Sequence, residues 1–128
     1  PIDREHLGYL AELGIEAETR DAGDWAENLR WIAERAHVGL ACGFSDSLNL
    51  VAVEHCLMGI PVVGSPALDW LPRKLVANPN DPRSIAAVVE QVSANREGWG
   101  IKLRVIARAM ARGNEALLLR NLTTLIEP

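Results

Sequence analysis

The chain has 128 residues, 48% of them hydrophobic, with 13 Lys and Arg against 17 Asp and Glu for a net charge of −4. That length holds one domain with one core and is too short for two, and the apolar share excludes a disordered chain. The acidic balance and the lack of a basic stretch point away from nucleic acid, and no apolar run reaches the ~18 residues of a membrane span. Cys42 and Cys56, the only cysteines, do not make a disulfide framework and fit a reducing, cytoplasmic setting. The sequence opens on Pro1 rather than Met, and PIDREHL has no signal-peptide apolar stretch.

In chain order, Asp3 is placed to cap a first helix over REHLGYLAEL, which Gly14 stops. IEAETR then alternates apolar and polar residues like a short, half-exposed strand. Asp24 opens a second helix, WAENLRWIAERA, whose inward face is Trp25, Leu29, Ile32, Ala33 and Ala36, with Trp31 partly exposed. VGLAC reads as a buried strand and GFSDS as a loop. LNLVAVEHCLM reads as a helix ended by Gly59 and Pro61. IPVVG is a second buried strand, SPALDWLPR a Pro-punctuated loop, and KLVAN a short third buried strand. In NDPRSIAAVVEQV, Asp81 is the cap, Pro82 the first helical residue, and Ile85, Val88, Val89 and Val92 the apolar stripe. Residues 96–126 read as one or two further helices with a break at residues 112–114. Short apolar strands alternating with helices specify one α/β domain over residues 1–128. Its expected architecture is a Rossmann-like parallel sheet of about four strands flanked by helices, with a helical C-terminus.

Glu54 is the one carboxylate inside the apolar run that follows Asp46, DSLNLVAVEHCLMGIPVV. A buried carboxylate without partners costs roughly several kcal/mol or more, so Glu54 either faces water or has a specific partner. Ligands of open parallel sheets bind outside the carboxyl ends of the strands, which here are left by the loops at residues 43–47 and 64–72. The first loop runs into the N-terminus of the Glu54 helix, where free N–H groups and the helix dipole suit a phosphate. Asp46 at that place also suits an N-cap. Cys56 reads as a packing residue. His6, His37 and His55 have no metal-ligand spacing, so no metal site is expected. The chain has no P-loop, G-x-G-x-x-G or G-x-S-x-G, which argues against NTPases, dinucleotide enzymes and hydrolases.

Asp46, seven intervening residues, Glu54 and then HCLMGIPVVGS resemble the donor-binding signature of retaining GT-B glycosyltransferases. In that family an acid, seven residues and a Glu lead through a short apolar stretch to G-x-P-V. Glu54 to Val62 follow that register residue for residue. Ser45 stands where the family often has a Ser before the acid, and Leu48 replaces a usual aromatic. The likeness runs over residues 15–92 and is specific over residues 45–63. It implies part of the C-terminal, nucleotide-sugar-binding half of such an enzyme. The chemistry implied is sugar transfer from a nucleoside-diphosphate donor with retention and without a metal or other cofactor. Asp46 would be the catalytic residue at the donor sugar, and Glu54 would accept hydrogen bonds from the ribose hydroxyls. Gly43, Ser45, Ser47, Leu48, Asn49 and Ser65 complete the implied substrate-binding set. This sequence departs from the family in carrying SPALDWLPR where a Gly-Gly loop with a Glu usually follows the strand, and no motif assigns Arg73 or Lys74 to the diphosphate. The chain has no room for the acceptor-binding N-terminal half, so the likeness implies a truncated or free-standing piece that is inactive alone.

A non-catalytic α/β interaction module that kept the fold is the alternative of a different class; a GT-B-like epimerase is a third. Consecutive helix residues lie ~100° apart, so Leu117, Leu118 and Leu119 cannot all face the domain's own core. The expectation is a homodimer through the C-terminal helix, or cover from the missing half.

Overall fold

A parallel pair of short strands joined by one helix forms the centre of the structure. The computed structural model describes residues 4–18, 24–42 and 49–113. Strand β1 (Gly39–Ala41) pairs with β2 (Val62–Gly64), with Gly39 opposite Val62, Leu40 opposite Val63 and Ala41 opposite Gly64. Parallel strands need a crossover, here supplied by helix α3 (Leu50–Leu57). Helices α1 (Arg4–Glu12) and α2 (Trp25–Arg35) precede this unit. A 3₁₀ turn (Arg73–Leu75) and helices α4 (Pro82–Ala94) and α5 (Arg96–Gly113) follow it. No helix among the described residues is long and apolar enough to cross a membrane.

Local signals account for most of the boundaries. Gly14 and Gly59 adopt φ values of +84° and +80° just past α1 and α3, the left-handed conformation that ends helices and that glycine takes without a Cβ clash. There Ile15 N–H donates to Leu10 O and Ile60 N–H to His55 O, which satisfies the last carbonyls. Asp81 caps α4 by accepting from Arg83 N–H at 3.0 Å, with Pro82 in the first turn. Asp24 holds the N-cap position of α2 without a side-chain cap bond. The α2 face is narrower than its spacing predicts, since Leu29 and Ile32 are buried but Ala33 is exposed.

The α/β class and parallel pairing stand as expected, but the sheet among the described residues is smaller than four strands. Residues 15–18, expected to be a strand, carry none. Alternation makes a strand only where a neighbouring backbone accepts it, and the Ile15 N–H is spent closing α1. KLVAN opens in the 3₁₀ turn after Pro72, and only Val76 forms a bridge, to Gly64. Helix α3 starts at Leu50 with Asn49, not Asp46, as its cap. Helix α5 continues as one helix to Gly113, and the leucines behind the expected dimer, Leu117, Leu118 and Leu119, lie outside the described residues.

The core gathers Leu10, Val53, Cys56, Val62, Val63, Leu75, Ile85, Val92 and Leu103 around the strand pair. β2 is buried along its whole length, which is why it reads as an unbroken apolar run. Full burial of each such Val, Leu or Ile contributes about 1.5–3 kcal/mol. Helix α5 packs on α3, and it approaches so closely that a Cβ on Gly100 would sit 2.5 Å from the Gly59 carbonyl oxygen. Arg104 Nε donates to Leu57 O at 3.1 Å, placing a cation on the negative end of α3. Gly100→Ala should therefore cost about 1–3 kcal/mol by overpacking, read as a lowered urea midpoint. Gly8→Ala, where nothing lies within 4 Å, should hold or raise the midpoint. Equal midpoints for Gly100→Ala and the parent would refute the backbone contact.

Candidate functional site

Helix α3 is apolar because it crosses the core, with Ala52, Val53 and Cys56 buried. Glu54 is buried with them, at 5% exposure. Its Oε1 accepts from the indole Nε1–H of Trp25 at 3.2 Å. Among the described residues this is the one side-chain hydrogen bond to the carboxylate. Desolvation pushes the Glu54 pKa above the ordinary carboxylate value, and the Trp25 bond offsets only part of that. A carboxylate kept dry with one donor retains acceptor capacity on its second oxygen.

His55 is built into the same wall. Its Nδ1 lies 2.6 Å from the Val51 carbonyl oxygen, which can only accept, so Nδ1 carries the proton and Nε2 is an acceptor. Burial lowers the His55 pKa and favours the neutral ring. The ring lies on Gly39 of β1, where a Cβ would come within 2.7 Å of His55 Cδ2. Only glycine leaves that space.

Trp25, Asn28, Glu54 and His55 line a groove of about 1250 Å³. Its other walls are residues 14–18, the start of β1 and the last turns of α4. Asn28 Oδ1 is buried without a hydrogen-bond partner, a state that costs about 1–3 kcal/mol. Trp25 and Trp31 both line the groove and are half-buried, so Trp25, expected in the core, instead forms a wall and holds the carboxylate. A smaller groove of about 250 Å³ between α1 and the start of α4 contains none of the sequence-predicted residues.

Of those residues, Gly43, Ser45, Asp46, Ser47 and Leu48 lie outside the described residues. Glu54 lines the large groove, whereas Asn49 and Ser65 do not. Asn49 Oδ1 accepts from Ala52 N–H at 3.0 Å and caps α3. Ser65 follows β2, is 1% exposed, and its Oγ accepts from Ala67 N–H at 3.3 Å to close a turn. Trp70, beside the expected site, packs on the core. Burial pushes the Cys56 thiol up to about 12 and raises Cys42 as well, so both stay protonated and suit packing. Among the described residues no group of three His, Cys, Asp or Glu is placed to hold a metal ion. Sequence spacing singled out Glu54 but carried no signal for Trp25, 29 residues away, or for Asn28.

No protein-family model, curated protein or solved structure matches the chain.

The Glu54 environment fixes a pH dependence. With rising pH the unfolded chain releases this proton first, near the ordinary 4.5, and the folded chain later. Stability is thus lost as pH rises from that value through the folded-state pKa, and the loss persists at neutral pH. Glu54→Gln removes the penalty and keeps an oxygen for the Trp25 N–H. Its urea midpoint should exceed the parent's at neutral pH, and the two should converge in acid. A Gln variant less stable than the parent at neutral pH would contradict the buried, under-compensated carboxylate.

Proposed function

We propose that the chain is the nucleotide-sugar-binding part of a retaining, GT-B-like glycosyltransferase. It takes a nucleoside-diphosphate sugar, with a Rossmann-like sheet extended on the β2 side, where Val76 already bridges Gly64. The observation that carries this reading is the Glu54 carboxylate, buried on an apolar helix, lining a groove and, among the described residues, held by one side-chain donor, the Trp25 indole N–H. A vicinal diol presents two O–H donors at the spacing of two carboxylate oxygens, and the ribose of a nucleotide is such a diol. The unspent acceptor capacity of Glu54 suits that partner, and the indole face of Trp25 or Trp31 suits a base.

The resemblance supplies the remaining roles. Asp46 would steady positive charge at the donor sugar. Backbone and side-chain groups of Gly43, Ser45, Ser47, Leu48 and Asn49 would hold phosphate near the N-terminus of α3, where the dipole favours an anion. Ser65 joins through the turn that it closes after β2. The setting is cytoplasmic, and the C-terminal leucines pair two copies or meet an acceptor-binding half.

A second reading, the non-catalytic interaction module, draws on Ile101 and Val105. They are one turn apart on α5 and 62% and 65% exposed, an apolar pair that a binding partner would cover. Titration with uridine and guanosine diphosphates separates the readings. The enzyme part binds at least one of them; the interaction module binds neither.

Glu54→Gln should weaken that binding by about 1–3 kcal/mol while keeping the fold. Equal affinity for the ribo- and 2′-deoxynucleotide in isothermal titration would overturn the ribose assignment. The chain alone should not transfer sugar, because donor and acceptor must be held together and orientation accounts for much of the rate. Slow donor hydrolysis is the most expected, and robust transfer by the purified chain would contradict this.

A further inference from the structure

Among the described residues, strand β1 uses only one of its two hydrogen-bonding edges. The Gly39 N–H donates to Pro61 O at 2.9 Å, and the Ala41 carbonyl accepts from Ser65 N–H at 3.1 Å. Backbone groups alternate in direction along a strand, so those of Leu40 point to the other edge. Among the described residues no strand pairs there. The sheet is β1–β2, and its only further bridge joins Val76 to Gly64 of β2. Exposed edges are usually defended by Lys, Pro or a bulge, whereas residues 38–41, VGLA, carry neither Lys nor Pro.

This edge opens on the large groove, whose lining includes Val38, Gly39 and Leu40. Charge in the groove selects the occupant. Arg35, the one Lys or Arg in the lining, is held by both carboxylate oxygens of Glu18. Glu16, Glu54 and Glu90 add further carboxylates to the lining. Apolar side chains, among them Leu29, Ile32 and Val89, supply the rest.

We propose that the groove docks an extended polypeptide segment of alternating apolar and Lys or Arg side chains, whose backbone pairs with Leu40 on the open edge of β1. The peptide adds a strand, so backbone bonds give affinity while alternate side chains meet the apolar floor and the carboxylates. The proposal does not rest on the nucleotide reading.

The test selects a phage-displayed random nonamer library on the purified chain. Enriched peptides should alternate apolar with Lys or Arg, and binding should slow exchange of the Leu40 amide by about tenfold or more. Leu40→Pro removes the outward N–H and leaves the β1–β2 bonds, so it should weaken binding by at least about tenfold. N-methylation of alternate residues in the synthetic peptide should do the same with the protein unchanged, whether or not the Pro variant folds. Failure to enrich any peptide, enrichment of acidic ones, undiminished binding of the methylated peptide, or an unchanged Leu40 amide each overturns the proposal. A peptide-free dimer mass in light scattering, with Leu40 protected, assigns the edge to a second copy and overturns it too. These outcomes are read on the parent chain without nucleotide, so the two readings fail separately.

Discussion

The Glu54 carboxylate and the Trp25 indole N–H form the contact around which the groove is organised. Removing a carboxylate from water costs several kcal/mol even after relaxation, roughly, and one neutral donor at 3.2 Å returns only part of that. The bond ties the first residue of α2 to the middle of α3. Helix α3 in turn is fixed by the strands that it connects and by α5, which approaches it at Gly100 and caps it with Arg104. A buried, partly compensated carboxylate is thus mounted on a helix that crosses the core. Such an arrangement persists where surrounding packing imposes it.

The same logic explains the neighbours of Glu54. His55 turns its proton inward to the Val51 carbonyl and presents an acceptor nitrogen, and Asn28 keeps a buried oxygen without a donor. Together with Glu54 these put three acceptor atoms on one wall, suited to ligands that bring hydroxyl or N–H groups. A ribose does so, and so does the backbone and cationic side chain of a peptide strand. A phosphate does not.

Much of the fold could be read from the chain because it rests on local chemistry. Asp81 with Pro82, the two positive-φ glycines and the buried Val62–Val63 pair each act within a few residues of themselves. The strand expected at KLVAN shrank to a single bridge because the chain enters it through a 3₁₀ turn, and the one expected after Gly14 failed for a different reason. A strand exists only with a partner backbone, and nothing local shows whether one is present. The site was legible at Glu54 because a charge in an apolar run is anomalous by itself. It was illegible at Trp25, since helical spacing marks an inward face without telling a core from the wall of a groove. Asn28 carries no pattern, and its buried oxygen is a property of packing alone.

Glu54 is buried, only partly compensated, and coupled to Trp25. The most direct measurement follows the Glu54 carboxyl carbon by NMR across an acid-to-neutral titration, with the Trp25 indole N–H observed in the same samples. The expected result is a Glu54 midpoint above the ordinary value of 4.5 and a Trp25 resonance that shifts with that same midpoint. A Glu54 midpoint at or below the ordinary value, or a Trp25 indole that ignores the titration, would contradict it.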